Sequence, residues 1–389
     1  MASATTTVDG RFRSDVIIVG AGPAGLAVAA CLQRAGIPSV ILEQADQVGA
    51  SWHRHYERLH LHTAKAYSAL PFLPFSRDYP RYPSRLQVIE YLQAYARRFE
   101  LQPRFGQQVL AAHRVGEGWE VRTQDACYQA PNLVIAAGYN RESFAPEWPG
   151  QSLFRGAVLH SSRYRSGEIF KGQSVLVVGF GNSGGEIAID LHEQGARVGL
   201  SVRGPVNVIP RELFGIPVLA IGIAQRKLAP RWADALNAPL LRAVIGDLSR
   251  YGFRQLPRGP LAQIQHDARI PLIDVGTIKL IKQGKIIVYP GIEKFSASGV
   301  VFSDGRQADF DAVVLATGYR PRVDAFLQQA PGACDEAGTP LCSGEAAPLP
   351  GLYFCGYHVA ATGMLREIAL EAQRIGAAIA RERGRASTT

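Results

Sequence analysis

Short apolar runs followed by glycine-rich turns recur along this chain. The first run, Asp15–Val19, is rich in β-branched residues and ends at Gly20, which predicts a buried strand of a parallel sheet. Helical apolar spacing follows over Pro23–Ala35, and a second apolar run at Ser39–Leu42 predicts another strand. These elements form a complete strand, turn, helix and strand unit.

The same pattern occurs a second time. Ser174–Val178 predicts a strand, a glycine turn and a helix follow through Gln194, and Arg197–Val202 predicts the second strand. After each unit comes one more apolar strand that ends in a glycine and a tyrosine, at Asn132–Tyr139 and at Asp311–Tyr319. The chain is therefore predicted to contain two nucleotide-binding folds.

The order of these elements predicts an α/β protein with two dinucleotide-binding (Rossmann-like) domains, the second inserted in the first. We expect a strand near Asp311 and a last helix near Gly363–Arg383 to return to the first domain. The first domain would then comprise residues 12–154 and 288–389, and the inserted domain residues 155–287.

Within the inserted domain, the segment Leu213–Gly252 is apolar, helical in spacing and interrupted by Pro217, Pro230 and Pro239. It is either a lid over a substrate pocket or a set of packed helices, and the spacing fits both. Its longest uncharged stretch, Leu213–Ala224, is shorter than the roughly 20 residues that a membrane span needs. We therefore expect no membrane span.

Length and composition narrow the function classes. A chain of 389 residues with 47% hydrophobic residues is long enough for two or three packed units. The formal net charge of +9 comes from basic residues spread along the chain, which favours small anionic ligands over nucleic acid. The alternative, that most of these side chains form a generally basic surface, fits equally well. The polar tail Met1–Gly10 and the residues that follow to Asp15 contain no signal-peptide core, so we expect a cytoplasmic protein.

The cysteines offer no redox or metal motif. All five, Cys31, Cys127, Cys334, Cys342 and Cys355, stand singly, without a Cys-x-x-Cys pair. They show no metal-ligand spacing with the nine histidines. We expect neither disulfides nor a bound metal.

The first glycine turn carries the strongest chemical signal. Gly20–Gly25 has the G-x-G-x-x-G spacing between a strand and a helix, where glycines permit a tight turn and a close approach of backbone to a pyrophosphate. The pyrophosphate would lie at the positive end of the helix. Glu43 ends the next strand, where an acid accepts hydrogen bonds from a ribose 2′-hydroxyl.

The second glycine turn, Gly179–Gly184, has the same spacing, but the strand after it ends in Arg203 in place of an acid. A guanidinium pairs with a 2′-phosphate that a carboxylate would repel. The first site is therefore predicted to take an unphosphorylated adenosine and the second to prefer NADPH. The alternative is that Arg203 is a solvated surface arginine.

These residues resemble those of the class B flavin-containing monooxygenases. The paired turns, Ala316–Gly318, and the segment Phe154–Tyr164, which fits F-x-G-x-x-x-H-x-x-x-Y/F, carry the resemblance. Further stretches resemble the YUCCA-type enzymes, which convert indole-3-pyruvate to indole-3-acetate: Ser51-Trp52, Arg58–His62, Leu70-Pro71, Tyr82-Pro83, His160–Ser162, Gly181–Ser183, Pro210–Glu212, Tyr251-Gly252, Asp274–Gly276 and Leu315–Tyr319.

The resemblance implies two cofactors, FAD and NADPH, and the residues that hold them. The FAD set comprises Gly20, Gly22, Pro23, Ala24, Gly25, Glu43, Gln44, Ser51, Trp52, Thr63, Gly138, Thr317, Gly318 and Gly356. The NADPH set comprises Gly179, Gly181, Asn182, Ser183, Gly184, Ser162 and Arg203. Many relatives place a Gly-Asp pair against the flavin where this chain has Gly356-Tyr357, so we expect contact there through backbone groups.

The resemblance also implies the reaction. NADPH reduces FAD, oxygen adds at flavin carbon 4a to give a (hydro)peroxide, and bound NADP⁺ protects it. Attack on the keto carbon of a 2-oxo acid, with loss of carbon dioxide, requires the deprotonated form, whereas a sulfide or an amine requires the protonated form. The expected partners are a small-molecule substrate and oxygen, with a homodimer left open.

Catalysis is expected to be flavin-borne, with His160, Arg211 and Lys65 as candidate side chains. His160 would lie at the junction of the domains, or else it packs or caps the crossing segment without touching a cofactor. A 2-oxo acid needs a cation for its carboxylate, and Arg211, Arg81 and Lys65 are available. Relatives that oxidise sulfides or amines typically place an asparagine near the flavin, and Ser51–Phe75 contains none, which favours the keto acid.

Four alternatives stay open. One is S- or N-oxygenation of a small soft nucleophile. A flavin disulfide reductase shares both folds but needs a proximal cysteine pair that this chain lacks. A Baeyer-Villiger oxygenase usually carries a tryptophan where Tyr164 stands. A non-enzymatic nucleotide sensor would form no product under air.

Overall fold

The computed structural model of the protein describes residues 6–8 and 11–386. The rest of the predicted polar tail and residues 387–389 lie outside the described residues. Helices and strands alternate along most of the described chain, as predicted for an α/β protein. None of the helices within these ranges is long and apolar enough to cross a membrane.

The helices and strands fall into three consecutive stretches of the chain. The first contains β1 (Thr6–Val8), β2 (Arg11–Arg13), β3 (Val16–Val19), α1 (Pro23–Arg34), β4 (Ser39–Leu42), α2 (Ala50–Arg54), α3 (Arg85–Arg98), β5 (Ala111–Val115), β6 (Gly118–Arg122), β7 (Cys127–Ala130), β8 (Asn132–Ile135) and β9 (Glu142–Ser143). The second contains β10 (Ala157–His160), β11 (Ser174–Val178), α4 (Asn182–Glu193), β12 (Arg197–Ser201), β13 (Val208–Pro210), β14 (Glu212–Leu213), β15 (Ile216–Pro217), α5 (Val218–Ala224), α6 (Pro230–Ile245), α7 (Pro260–Asp267), β16 (Leu272–Asp274), α8 (Thr277–Lys282) and β17 (Ile286–Tyr289). The third contains β18 (Ile292–Phe295), β19 (Gly299–Phe302), β20 (Gln307–Asp309), β21 (Ala312–Leu315), β22 (Tyr319–Arg320), β23 (Leu352–Phe354) and α9 (Met364–Ala386).

Two parallel sheets organise these elements. The first has the strand order β23-β8-β3-β4 and the second the order β10-β21-β11-β12-β17. Each glycine turn follows a central strand, β3 in the first sheet and β11 in the second. A mixed five-stranded sheet has the order β1-β2-β7-β6-β5, and the smaller sheets are the antiparallel β18-β19-β20 and the pairs β13-β16, β14-β15 and β22-β9.

Both faces of each parallel sheet are buried, which explains why the strands are continuous apolar runs. In β3, Val16 and Ile18 belong to one apolar core while Ile17 and Val19 belong to another. Successive strand residues point to opposite faces, so this alternation means that helices or loops cover both sides. The two cores on the faces of β11 divide its residues in the same way.

The strand near Asp311 lies in the second sheet, which changes the expected domain boundary. We expected it to return to the first domain, but β21 pairs with β10 and β11 inside the second sheet. The chain returns to the first stretch after β21: β22 pairs with β9, β23 lies beside β8, and α9 packs along α1. We therefore propose that the second domain extends from about residue 155 to about residue 318, beyond the expected end at 287.

Candidate active site

The first glycine turn has room for a ligand at one residue only. A Cβ on Gly20, whose φ is 106°, would lie 2.5 Å from the carbonyl oxygen of Ala136. A Cβ on Gly25 would lie 1.8 Å from the carbonyl oxygen of Gly20, so α1 packs directly on the turn. At Gly22 a Cβ would meet no atom within 4 Å. The backbone at Gly22 is therefore open to a close-approaching group.

Glu43 is held by the backbone around this turn. Its Oε2 accepts a hydrogen bond from the Ala21 N–H at 2.7 Å, and its Oε1 accepts one from the Ala45 N–H at 2.9 Å. Each carboxylate oxygen has a second lone pair, so an acceptor for a ribose hydroxyl remains. No side chain caps the start of α1 at Gly22, which leaves its first N–H groups to a ligand.

The second turn repeats this arrangement. A Cβ on Gly179 would lie 2.4 Å from the carbonyl oxygen of Ala316, and a Cβ on Gly184 would lie 2.0 Å from that of Gly179. A Cβ on Gly181 would meet nothing within 4 Å, and no side chain caps the start of α4 there. The Asn182 side chain instead accepts the Ile273 N–H at 2.8 Å, which ties the turn to β16.

A single cavity of about 890 Å³ lies between the two turns. Its volume falls within the range of small-molecule sites. Every residue of the predicted FAD set except Gly25 lines it. Gly181, Asn182 and Ser183 of the predicted NADPH set line it too, as does the candidate cation Arg211. The structure thus brings both turns and one candidate cation to the same space.

Other predicted residues lie outside this cavity, each for a visible reason. Gly25, Gly179 and Gly184 are the close-packing glycines described above. Ser162 contacts the ring of His160 through its hydroxyl and its N–H. Arg203 is exposed just beyond β12.

His160 caps the segment that follows β21. Its Nδ1 accepts the Ser162 N–H at 3.1 Å, so its Nε2 carries the proton and donates to the Gly318 carbonyl at 3.1 Å. Its ring stands edge-on to Tyr319, with centroids 5.1 Å apart. Burial lowers the pKa of His160, although the bond to Gly318 opposes this. These contacts favour the alternative in which His160 holds the crossing segment and touches no cofactor.

Tyr164, the last residue of the signature segment, is also structural. Its hydroxyl is buried and donates to Asp190 Oδ2 on α4 at 2.6 Å. The same oxygen accepts the Gly167 N–H at 2.8 Å. Burial first, and Asp190 second, raise the pKa of Tyr164 far above its ordinary value. The segment after β10 is thereby held against α4.

Of the candidate cations, Arg211 alone has a free guanidinium at the cavity. Lys65 Nζ donates to the carbonyls of Ser76, Arg77 and Tyr79, so its three protons are all used. Arg81 is exposed and forms an ion pair with Glu212 at 3.0 Å. The Arg211 guanidinium lies over the Tyr82 ring, 4.1 Å from its centroid, and makes no hydrogen bond or ion pair with any described residue.

Gly356 lines the cavity, but its N–H is already engaged. It donates to Glu371 Oε2 at 2.6 Å, and the Ser343 hydroxyl donates to the same oxygen at 2.9 Å. Glu371 is fully buried on α9, and burial raises its pKa. The expected backbone contact at Gly356 is therefore limited to its carbonyl and its Cα.

The segment 213–252 forms part of the cavity wall. Leu213, Leu219 and Gly222 line the cavity from β14 and α5, and Leu241 lines it from α6. Asp234 on α6 accepts the N–H groups at the start of α7, at 2.9 Å each, which fixes the two helices together. The segment is thus a set of packed helices that also forms one wall of the cavity.

Sequence reasoning missed several residues that line this cavity: Arg54, His62, Asn140, Tyr319 and Arg269. His62 and Tyr319 lie in stretches that matched the family, but nothing in those stretches indicated which side chain faces the cavity. Asn140 follows the Gly138-Tyr139 pair and lies outside Ser51–Phe75, the stretch that contains no asparagine.

Comparisons with known proteins agree with this geometry. A sequence-family profile described as pyridine nucleotide-disulphide oxidoreductase matches residues 17–210. The chain is 42% identical over 319 residues to indole-3-pyruvate monooxygenase YUCCA1 of Oryza sativa subsp. japonica, covering 81% of this chain and 79% of that protein. It is 39% identical over 349 residues to probable indole-3-pyruvate monooxygenase YUCCA1 of Arabidopsis thaliana, covering 88% and 84%.

A solved structure has the same fold. A flavin-containing monooxygenase from Stenotrophomonas maltophilia superposes with a TM-score of 0.73 over 95% of this chain and 99% of that chain. The two sequences are 22% identical, so this likeness concerns the architecture alone.

Proposed function

The chain belongs to the class B flavin-containing monooxygenases, among the YUCCA-type enzymes, and we propose that it oxidatively decarboxylates an aromatic 2-oxo acid such as indole-3-pyruvate. The reaction would use FAD, NADPH and oxygen and would yield the corresponding acetic acid and carbon dioxide. The identity of 42% over 81% of the chain carries the substrate assignment. The shared cavity, in which two dinucleotide turns meet Arg211, supports it.

The first turn fits FAD. A Cβ at Gly22 would enter space that the rest of the turn leaves open for a pyrophosphate, and the uncapped start of α1 offers N–H groups to it. Gly20, Gly22, Pro23 and Ala24 would hold the pyrophosphate, and Glu43 the ribose. When bound and reduced by NADPH, FAD supplies the activation of molecular oxygen at its carbon 4a.

The second turn fits NADPH. Gly181 is open in the same way, and the start of α4 has no side-chain cap. Arg203 and Arg254 are both exposed, and Arg254 Nη2 donates to the Arg203 carbonyl at 2.8 Å, so two guanidinium groups lie near the end of β12. Such a pair would bind the 2′-phosphate.

The substrate would be bound by one cation and an apolar wall. Arg211 would pair with the carboxylate, because its guanidinium has no anionic partner in the described part of the chain. The nearby Glu212 is occupied by Arg81 at 3.0 Å and by the Tyr82 hydroxyl at 2.7 Å. Apolar residues of α5 would face the aromatic ring and keep water away.

Product analysis tests this proposal. We expect purified, flavin-loaded enzyme to consume NADPH with an aromatic 2-oxo acid and, under isotopically labelled oxygen gas, to place one labelled atom in the acetic acid. Arg211→Ala should raise the KM for the keto acid by the equivalent of about 1–3 kcal/mol, since a charge-assisted pair is lost. Arg81→Ala is the matched control, because Arg81 points to Glu212 and lies outside the cavity.

The same assay separates the alternatives. If label appears only in sulfoxides, amine oxides or esters offered in competition, family membership stands and the keto-acid proposal is wrong. A disulfide reductase would reduce a disulfide without oxygen, but it needs a proximal cysteine pair, and the five cysteines of this chain include no Cys-x-x-Cys. Failure to form any product from any substrate class would favour a nucleotide sensor.

A further inference from the structure

A histidine and a glutamate meet where the two halves of the molecule face each other. His62 lies between α2 and α3, and Glu186 lies on α4, just after the second glycine turn. His62 Nε2 is 2.7 Å from Glu186 Oε1. The side chain of His62 is 12% exposed and that of Glu186 is 4% exposed. The contact joins residues 124 positions apart, so it depends on the packing of the two glycine units.

Glu186 is a buried carboxylate that contacts the His62 ring and interacts with the Tyr56 hydroxyl. Its Oε2 is buried without a partner among the described residues. A buried carboxylate is costly unless it is paired, so His62, the cationic partner it can acquire, and the Tyr56 hydroxyl compensate it. Glu186 does not line the cavity, and it faces the first unit through its contact with His62.

The other ionisable groups near this pair are held in one protonation state or paired elsewhere. They are His55, Tyr56 and Arg58 on the segment that leads to His62, Asp190 on α4, and Tyr319 after β21. Burial lowers the pKa of His55 to about 4, and the positive charges of Arg85 and Arg165 add to this. Burial raises the pKa of Tyr56 well above its usual value, as does the neighbouring Glu186. Arg58 pairs with Glu193 and Asp190 accepts from Tyr164.

The second ring nitrogen of His62 is free and accessible. His62 lines the cavity, and its Nδ1 has no hydrogen-bond partner in the described chain. This atom is also absent from the buried polar atoms that lack a partner, so it is accessible. An imidazole on a cavity wall with one nitrogen on a carboxylate and the other free has the arrangement of a general acid or base.

We propose that His62 takes up and releases a proton at Nδ1 during turnover and that Glu186 is the positioning residue that fixes its tautomer. The proposal rests on the proposed function, because attack on a 2-oxo acid requires a group with an acidic O–H bond in the cavity to lose its proton. One proton moves from that acid to Nδ1, the imidazolium is paired with Glu186, and the proton leaves to solvent at the end of the cycle. No electron is gained or lost by His62.

Two conservative variants and two matched controls test this. His62→Gln should lower kcat by about 10²- to 10⁴-fold and Glu186→Gln by less, each with the KM for NADPH changed less than about two-fold. One limb of the pH profile of kcat should disappear in His62→Gln. The controls are His60→Gln, an exposed histidine on the same segment, and Glu193→Gln, an exposed acid on α4. Unchanged kcat and an unchanged pH profile in His62→Gln overturn the proposal.

A measurement without turnover completes the test. Nitrogen NMR of histidine-labelled, flavin-loaded enzyme shows which ring nitrogen of His62 carries the proton, and the His62 signals are assigned by their loss in His62→Gln. In the wild-type enzyme the proton of the neutral ring should lie on Nε2, and Glu186→Gln should give a mixture of the two tautomers, because the carboxylate acceptor is lost. No change overturns the role of Glu186. If wild-type enzyme leaves every keto acid untouched, the proposed function fails, while the NMR result still decides whether Glu186 controls the proton on His62.

Discussion

The two glycine turns repeat one geometry in the two halves of the molecule. The φ angle is 106° at Gly20 and 110° at Gly179. The third glycine of each turn packs so closely that a Cβ would lie 1.8 Å or 2.0 Å from the carbonyl oxygen of the first. The second glycine, Gly22 or Gly181, faces open space in both. This shared part suits any pyrophosphate, so it does not distinguish one dinucleotide from the other.

The difference begins at the end of the following strand. Glu43 is 7% exposed and both of its oxygens accept backbone N–H groups. Arg203 is exposed, and among the described residues only its backbone forms a hydrogen bond. A buried, fixed acid offers acceptors to a ribose hydroxyl, whereas an exposed guanidinium can reach a phosphate. From this comparison we propose that the turn binds the common part of the cofactor and that the strand end selects the nucleotide.

The largest effect is expected where the two turns are alike. Gly25→Ala and Gly184→Ala should each destabilise the protein by about 3 kcal/mol or more, since the new Cβ would overlap a backbone oxygen that no rotamer can move. Gly22→Ala is the control, because its Cβ meets no protein atom. Thermal unfolding followed by circular dichroism checks this. If Gly25→Ala unfolds at the same temperature as Gly22→Ala, the inferred close packing of the turn is wrong.

A valine at the open glycine of each turn should distinguish the functions of the two turns. Gly22→Val should purify without flavin, because its side chain fills the pyrophosphate position. Gly181→Val should keep flavin and lose NADPH oxidation for the same reason at the second turn. Flavin absorbance and stopped-flow reduction by NADPH measure the two losses. Loss of flavin in Gly181→Val with flavin kept in Gly22→Val would reverse the assignment of the sites.

The smallest effect sharpens the difference at the strand end. Arg203→Ala should weaken the binding of NADPH by roughly 1–3 kcal/mol and the binding of NADH far less, because a charge-assisted pair to the 2′-phosphate is lost. Arg197→Ala, at the opposite end of β12, is the matched control and should change neither. Apparent KM values for both nucleotides provide the measurement. Equal weakening of NADPH and NADH would show that Arg203 does not bind the 2′-phosphate.

Many of the residues that line the cavity could be predicted because they are local in the sequence. Gly20, Gly22 and Glu43 lie within a single strand, turn, helix and strand unit, whose apolar periods and glycine spacing are visible in one stretch of sequence. All three line the cavity. Lys65 and Arg211 could not be told apart in this way, because the carbonyls that occupy Lys65 belong to a loop whose path the spacing does not define.

The sequence by itself determined that there are two dinucleotide folds, because the apolar periods and the glycine spacing occur twice. It also determined which glycine of each turn must stay open, because the steric limits lie inside one turn. Only the tertiary structure decided that β21 joins the second sheet, because an apolar run buried on both faces fits a place in either sheet. It also decided that His62 meets Glu186. Such a contact, between residues 124 positions apart, exists only once the two units have packed, and no local pattern encodes it.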